Sequence, residues 1–141
     1  MNLHHVGYAV AEIEPAAAIY FKRFGYQACT PVIHDPLQTA YVQFFRLPGD
    51  QTYLEFVAPD GPNSKLSNAV ANRIALNHLC FAVDDIEEAT ESLRKTGMVV
   101  VSKPVPAVAF GGRRISWLLG RDCVPIELVE RSGHLLTLTD A

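Results

Sequence analysis

Apolar and polar positions along this chain follow two rhythms, one of period two and one near 3.6, and the pair of rhythms occurs twice. Residues 3–10 and 76–83 are short runs rich in Val, Leu and aromatic residues bounded by polar ones, which predicts strands. In residues 14–24, Ala17, Ile19–Phe21 and Phe24 fall near helical spacing, and residues 85–96 do the same with Ile86, Ala89 and Leu93. Gly25 and Gly97 follow where helix C-caps are expected. Three further strand-like runs come next in each half, at about 26–34, 40–47 and 51–58, then at about 98–105, 113–119 and 124–130. Pro104 and Pro106 point to an edge or a strand end. Between the halves, Pro59-Asp60-Gly61-Pro62-Asn63-Ser64 reads as a turn-rich linker leading toward a short helix near 66–72.

The recurrence extends to residue identity. His5-Val6-Gly7-Tyr8-Ala9-Val10 reappears as His78-Leu79-Cys80-Phe81-Ala82-Val83 at an offset of 73 (78 − 5), and Ile13-Glu14 matches Ile86-Glu87 at the same offset. Tyr53-Leu54-Glu55-Phe56-Val57 matches Pro125-Ile126-Glu127-Leu128-Val129 at 72 (127 − 55), the one-residue change that a loop deletion leaves behind. The expected fold class is α+β. A single domain over 1–141 is built of two tandem βαβββ modules, 1–58 and 76–131, with 59–75 as linker. One helix covers one face of each curled mixed sheet, and the other faces are expected to form a metal-binding cleft.

Strand parity selects the residues on those faces. His5 lies with Leu3, Gly7 and Ala9, and His78 with Cys80 and Ala82, while the bulky alternates Val6, Tyr8, Val10, Leu79, Phe81 and Val83 point toward the helices. Glu55 and Glu127 each interrupt an apolar strand, where ionised burial costs several kcal/mol unless the charge is paired or metal-bound. Two imidazoles and two carboxylates suit Zn, Ni, Co, Mn or Fe and balance a divalent charge without thiolates. Alone, each of these residues reads as an ordinary buried histidine or edge carboxylate; recurrence at equivalent positions favours metal ligands. His4 aligns with Asn77 and so drops out, and His34 and His134 have no repeat partner.

Composition narrows the partners without naming one. The formal net charge of −3 with scattered Lys and Arg argues against nucleic acid or an anionic membrane surface. Cys29, Cys80 and Cys123 are too far apart for a thiolate site and odd in number, as expected of small hydrophobes in a reducing, cytoplasmic setting. The start of the chain lacks the basic and apolar runs of a secretion signal, and no apolar stretch approaches the roughly 20 residues that span a bilayer.

The stretches 5–10, 77–87 and 125–130 resemble the vicinal oxygen chelate superfamily, which includes glyoxalase I, methylmalonyl-CoA epimerase, extradiol dioxygenases and antibiotic-resistance proteins. Residues 58–65 and 110–118 look most like the methylmalonyl-CoA epimerase subgroup. The resemblance implies a divalent metal at His5, Glu55, His78 and Glu127, and a substrate whose adjacent oxygens meet that metal and whose enolate is stabilised there. It also implies Glu127, with Glu55, as proton-moving groups, and a homodimer. Epimerase-like sequences carry a catalytic glutamate where this chain has Gln43, an amide that takes no proton at neutral pH. Glu55 instead matches glyoxalase I, in which a ligand glutamate is also the base. The expected activity is therefore a metal-dependent isomerase, epimerase or lyase acting on a small molecule such as an acyl-CoA or other thioester. Gln43, Lys65, Arg113 and Arg114 are candidate substrate contacts. An Fe(II) extradiol-type dioxygenase, tested by oxygen consumption, and a non-catalytic drug-binding protein, tested by ligand affinity without metal, are the alternatives.

Overall fold

The two rhythms become nine strands and three α-helices in a computed structural model that describes residues 1–131; His134 lies outside the described residues. The strands are β1 (Asn2–Ala9), β2 (Gln27–Ala28), β3 (Ile33–Asp35), β4 (Ala40–Arg46), β5 (Tyr53–Pro59), β6 (Leu76–Val83), β7 (Val99–Pro106), β8 (Arg114–Leu119) and β9 (Pro125–Glu130). The helices are α1 (Ile13–Phe24), α2 (Ser67–Ala71) and α3 (Ile86–Lys95). The chain divides into two compact units. The first module is His5–Asn77, and the second takes Met1–His4 and resumes at His78.

In the first module the strand order is β2-β4-β5-β1, with β3 also paired to β4. β1 and β5 run parallel and the other pairs are antiparallel. Ile13, Phe45, Leu54, Phe56 and Ala58 form a core against which Val6, Tyr8, Val10, Ala16, Ala17 and Tyr20 pack. The bulky residues of β1 thus meet α1, as parity predicts. α1 closes on Gly25 at φ 86°, whose N–H donates to the Phe21 carbonyl at 2.9 Å.

The single strand expected over 26–34 is divided into β2 and β3. Pro31 lies in the gap and has no N–H to continue a ladder. The gap stays tied to β4 nonetheless. The Cys29 N–H donates to the Phe44 carbonyl at 2.8 Å, and the Phe44 N–H donates to Thr30 Oγ1 at 3.2 Å. The linker is pinned in the same way, because the Ser64 hydroxyl donates to the Thr39 carbonyl at 2.6 Å and the Lys65 N–H to Thr39 Oγ1 at 2.8 Å.

The second module repeats the plan in the order β6-β9-β8-β7, with β6 and β9 parallel. Val83, Ile86, Leu118 and Leu128 form its core, joined by Phe81, Ala89, Leu93 and Ile126. Asp85 caps α3 by accepting from the Glu88 N–H at 2.9 Å, and the buried hydroxyls of Thr90 and Ser116 hydrogen-bond at 2.9 Å to tie α3 to β8. β7 is an edge whose register slips between Ser102 and Val105, around Pro104. Among the described residues no helix is long and apolar enough to cross a membrane.

The caps generate a paired prediction. Nothing lies within 4 Å of a Cβ added at Gly25, so Gly25→Ala meets only the left-handed backbone penalty. It should lower the urea midpoint by the equivalent of about 1–2 kcal/mol. Gly61→Ala, equally open and without positive φ, should stay within about 0.5 kcal/mol of the parent. Equal losses at both positions would contradict this account of the cap.

Candidate metal centre

Residues opposite one another on paired strands project to the same face. The parallel register of β1 and β5 sets His5 opposite Tyr53 and Gly7 opposite Glu55, so His5 and Glu55 share the face turned away from α1. The register of β6 and β9 sets Cys80 opposite Glu127, and His78, two residues before Cys80, shares that face. In both modules the glutamate therefore stands opposite the residue two positions after the histidine. All four side chains are buried, at 0% exposure for His5, 5% for Glu55, 3% for His78 and 5% for Glu127.

The antiparallel neighbours add a third matched position. Phe44 of β4 stands opposite Glu55 and meets the His5 ring edge-on at a centroid distance of 5.1 Å. Trp117 of β8 stands opposite Glu127 and meets the His78 ring edge-on at 4.9 Å. Each imidazole is thus oriented by an aromatic ring from the strand beside its glutamate. The indole Nε1–H of Trp117 is buried with no acceptor among the described residues, which costs about 1–3 kcal/mol; packing rather than hydrogen bonding holds the ring.

His5 Nε2 and Glu55 Oε1 stand 3.7 Å apart. That exceeds a hydrogen bond. Two such donors on one ion, each about 2.1 Å from it at a tetrahedral angle, would be separated by about 3.4 Å, so the observed pair fits metal ligation with little adjustment. The buried nitrogen and oxygen donors of both modules suit a borderline divalent ion.

His4, on the alternate parity, packs edge-on against Phe110 at 5.7 Å. Burial, reinforced by the nearby Arg113 charge, pushes its pKa down to about 4, so it is neutral at physiological pH. His34 hydrogen-bonds Asp60 at 2.9 Å on the surface and meets the Tyr41 ring at a tilt of 39°.

Three of the four candidate substrate contacts are engaged by partners within their own modules. Gln43 stands opposite Phe56, on the α1 side of its sheet, and its amide donates to the Thr30 carbonyl at 2.8 Å. Arg114 has the parity of Leu118, on the α3 side, and its guanidinium is divided between Glu130, at 2.7 and 3.0 Å, and Glu87. Its four hydrogen bonds to these two carboxylates hold its donors and tie α3 to β9. Lys65 donates to the Leu37 carbonyl at 3.0 Å from the exposed linker, and the charge of Arg113 acts on His4. Phe44 and Trp117 escaped the sequence reading. Their signal was the offset of 73 (117 − 44), hidden because the strands around them share no residue identity.

The superfamily model for glyoxalase, bleomycin resistance protein and dioxygenase matches residues 4–117. The chain is 30% identical over 123 residues to the ethylmalonyl-CoA/methylmalonyl-CoA epimerase of Cereibacter sphaeroides, covering 86% of this chain and 90% of that protein. It is also 30% identical over 124 residues to the mitochondrial methylmalonyl-CoA epimerase of Homo sapiens, covering 86% and 68%. The crystal structure of a hypothetical protein from Bacillus halodurans superposes with a TM-score of 0.82 at 21% identity, covering 96% of this chain and 98% of the other. Methylmalonyl-CoA epimerase from Mycobacterium tuberculosis gives 0.77 at 25% identity, covering 99% and 92%. The α+β fold matches these structures, and the chain belongs to the glyoxalase/bleomycin resistance protein/dioxygenase superfamily.

Proposed function

We propose that the chain is a metal-dependent epimerase that inverts the carbon alpha to the thioester carbonyl of a short 2-alkylmalonyl-CoA, with His5, Glu55, His78 and Glu127 as the metal ligands. The observation that carries the reading is the matched histidine, glutamate and aromatic of each module, buried on one face by the same register step. The epimerase relatives supply the substrate class. The divalent ion is Zn, Ni, Co, Mn or Fe, and the chain acts as a homodimer in a cytoplasmic setting.

When bound, the ion supplies Lewis-acid polarisation of a substrate carbonyl oxygen. The chain's own residues do the rest. His5 and His78 serve as neutral nitrogen donors, held in orientation by Phe44 and Trp117. Glu127, ionised, offsets part of the divalent charge in a buried setting, and Glu55 enters the cycle protonated. Glu127 takes the alpha proton, leaving the electron pair delocalised onto the carbonyl oxygen. Glu55, protonated at the start of the cycle, delivers its proton to the opposite side of that carbon and regains one from solvent as Glu127 releases its own. Exchange with solvent thus restores both groups, so the product carries solvent hydrogen. Gln43, an amide on the α1 side, takes no part in proton movement.

Two predictions follow from this assignment. The only tryptophan of the chain is Trp117, which rests on His78, so its emission reports the site directly. Adding Ni(II) or Co(II) to metal-free protein should quench that emission with a stoichiometry of one ion per chain by elemental analysis. His5→Ala and His78→Ala should each abolish stoichiometric binding, and retention of a full ion by either variant would contradict the four-ligand set. In deuterated water the metal-loaded protein should exchange the alpha hydrogen of methylmalonyl-CoA. Glu127→Gln should slow that exchange by about 10²–10⁴-fold, the usual contribution of a general base, while Gln43→Ala stays within a few-fold of the parent. Exchange at the parental rate in Glu127→Gln would remove that residue from the reaction.

A further inference from the structure

Arg46 closes β4 on the same parity as Phe44, and its guanidinium lies over the Tyr53 ring at 5.1 Å while Nη1 donates to the Tyr53 hydroxyl at 3.3 Å. Tyr53 in turn stands opposite His5. Arg46, Tyr53 and His5 therefore form one row across three adjacent strands, on the face that carries Glu55. At about 4.8 Å per strand, the backbone of Arg46 is about 10 Å from that of His5.

Its charge acts on the Cys29 thiol and the Tyr53 ring but meets no counter-charge among the described residues. Arg94, Arg114 and Arg131 pair with Glu91 at 2.6 Å, Glu130 at 2.7 Å and Asp84 at 2.9 Å, whereas no carboxylate among the described residues pairs with Arg46. The side chain is half-buried, so a counter-charge there would be screened less than at the open surface. A guanidinium has five N–H donors, and among the described residues only Nη1 is engaged, with the Tyr53 hydroxyl. The remaining edge suits bidentate acceptance by a planar or tetrahedral oxyanion. Stacking and the Tyr53 contact hold the head in place before any ligand arrives, which lowers the ordering cost of binding.

We propose that Arg46, positioned by Tyr53, is the anion-binding residue of this site and receives an oxyanion of the ligand, either a carboxylate or a phosphate. This rests on the metal-site reading above, because it takes the His5 and Glu55 face as the one that holds ligand. Arg46 binds substrate and takes no part in proton transfer. It is a specificity residue that favours acyl thioesters bearing a negative group over neutral ones.

The test uses full-length, nickel-loaded protein and calorimetric titration with two probes, malonate for a carboxylate and unacylated coenzyme A for phosphates. Arg46→Met keeps the apolar stem against Tyr53 and removes the charge. It should weaken one probe at least 10-fold while nickel content and Trp117 quenching match the parent, and Arg46→Lys should recover part of the loss. Loss confined to malonate assigns a carboxylate, and loss confined to coenzyme A assigns a phosphate. Parental affinity for both probes in Arg46→Met, or binding of neither probe by the parent, overturns the proposal. Failure of the metal reading appears separately, as absence of nickel binding before any probe is added. The same titrations on metal-free protein then decide the role of Arg46.

Discussion

Burial of a carboxylate on an otherwise apolar strand is the constraint from which the rest of this structure is best understood. Glu55 and Glu127 are each 5% exposed, flanked by Leu54 and Phe56 in one strand and by Ile126 and Leu128 in the other. An ionised group in that setting costs several kcal/mol unless cations or donors compensate it. Each module answers this cost in the same way: a histidine two residues along the parallel neighbour, and an aromatic ring directly opposite on the antiparallel one. The helix faces, packed with Phe56 and Leu128, supply the rigidity that holds these side chains in register.

This arrangement separates stability from chemistry along a single strand. Alternate residues of β5 serve the core beneath α1 and the polar face opposite it, and β9 divides its residues likewise beneath α3. A one-residue slip would exchange the two sets, so the parallel register is strongly specified by the apolar residues alone. The ion-pair network of Arg114 with Glu87 and Glu130 works at the other level, fastening α3 to the sheet. Gln43 belongs with it on the structural side, bonded to the Thr30 carbonyl.

Strand parity was legible in the sequence because it depends only on a period of two. It sent Val6, Tyr8 and Val10 to the helix, while the recurrence at an offset of 73 chose His5 over His4 and the end of the helical spacing set the cap at Gly25. Two things were not legible, each for the same reason. The rings of Phe44 and Trp117 behind the histidines and the seat of Arg46 on Tyr53 depend on which strand lies beside which. Cross-strand register joins residues far apart in the chain, and single-strand patterning does not encode it. The cations singled out by sequence, Lys65 and Arg114, were noticed for their local motif, yet hydrogen bonds already engage them.

The most direct test of the central claim is X-ray absorption on zinc-loaded protein, because it reads the ligand atoms themselves. Cys80 lies on the same face as His78 and opposite Glu127, and so offers a thiolate competitor for the ion. The account predicts a first shell of nitrogen and oxygen only, at about 2.0–2.2 Å, with the outer-shell scattering of two imidazoles. A sulfur shell at about 2.3 Å, or a shell without imidazole scattering, would contradict it.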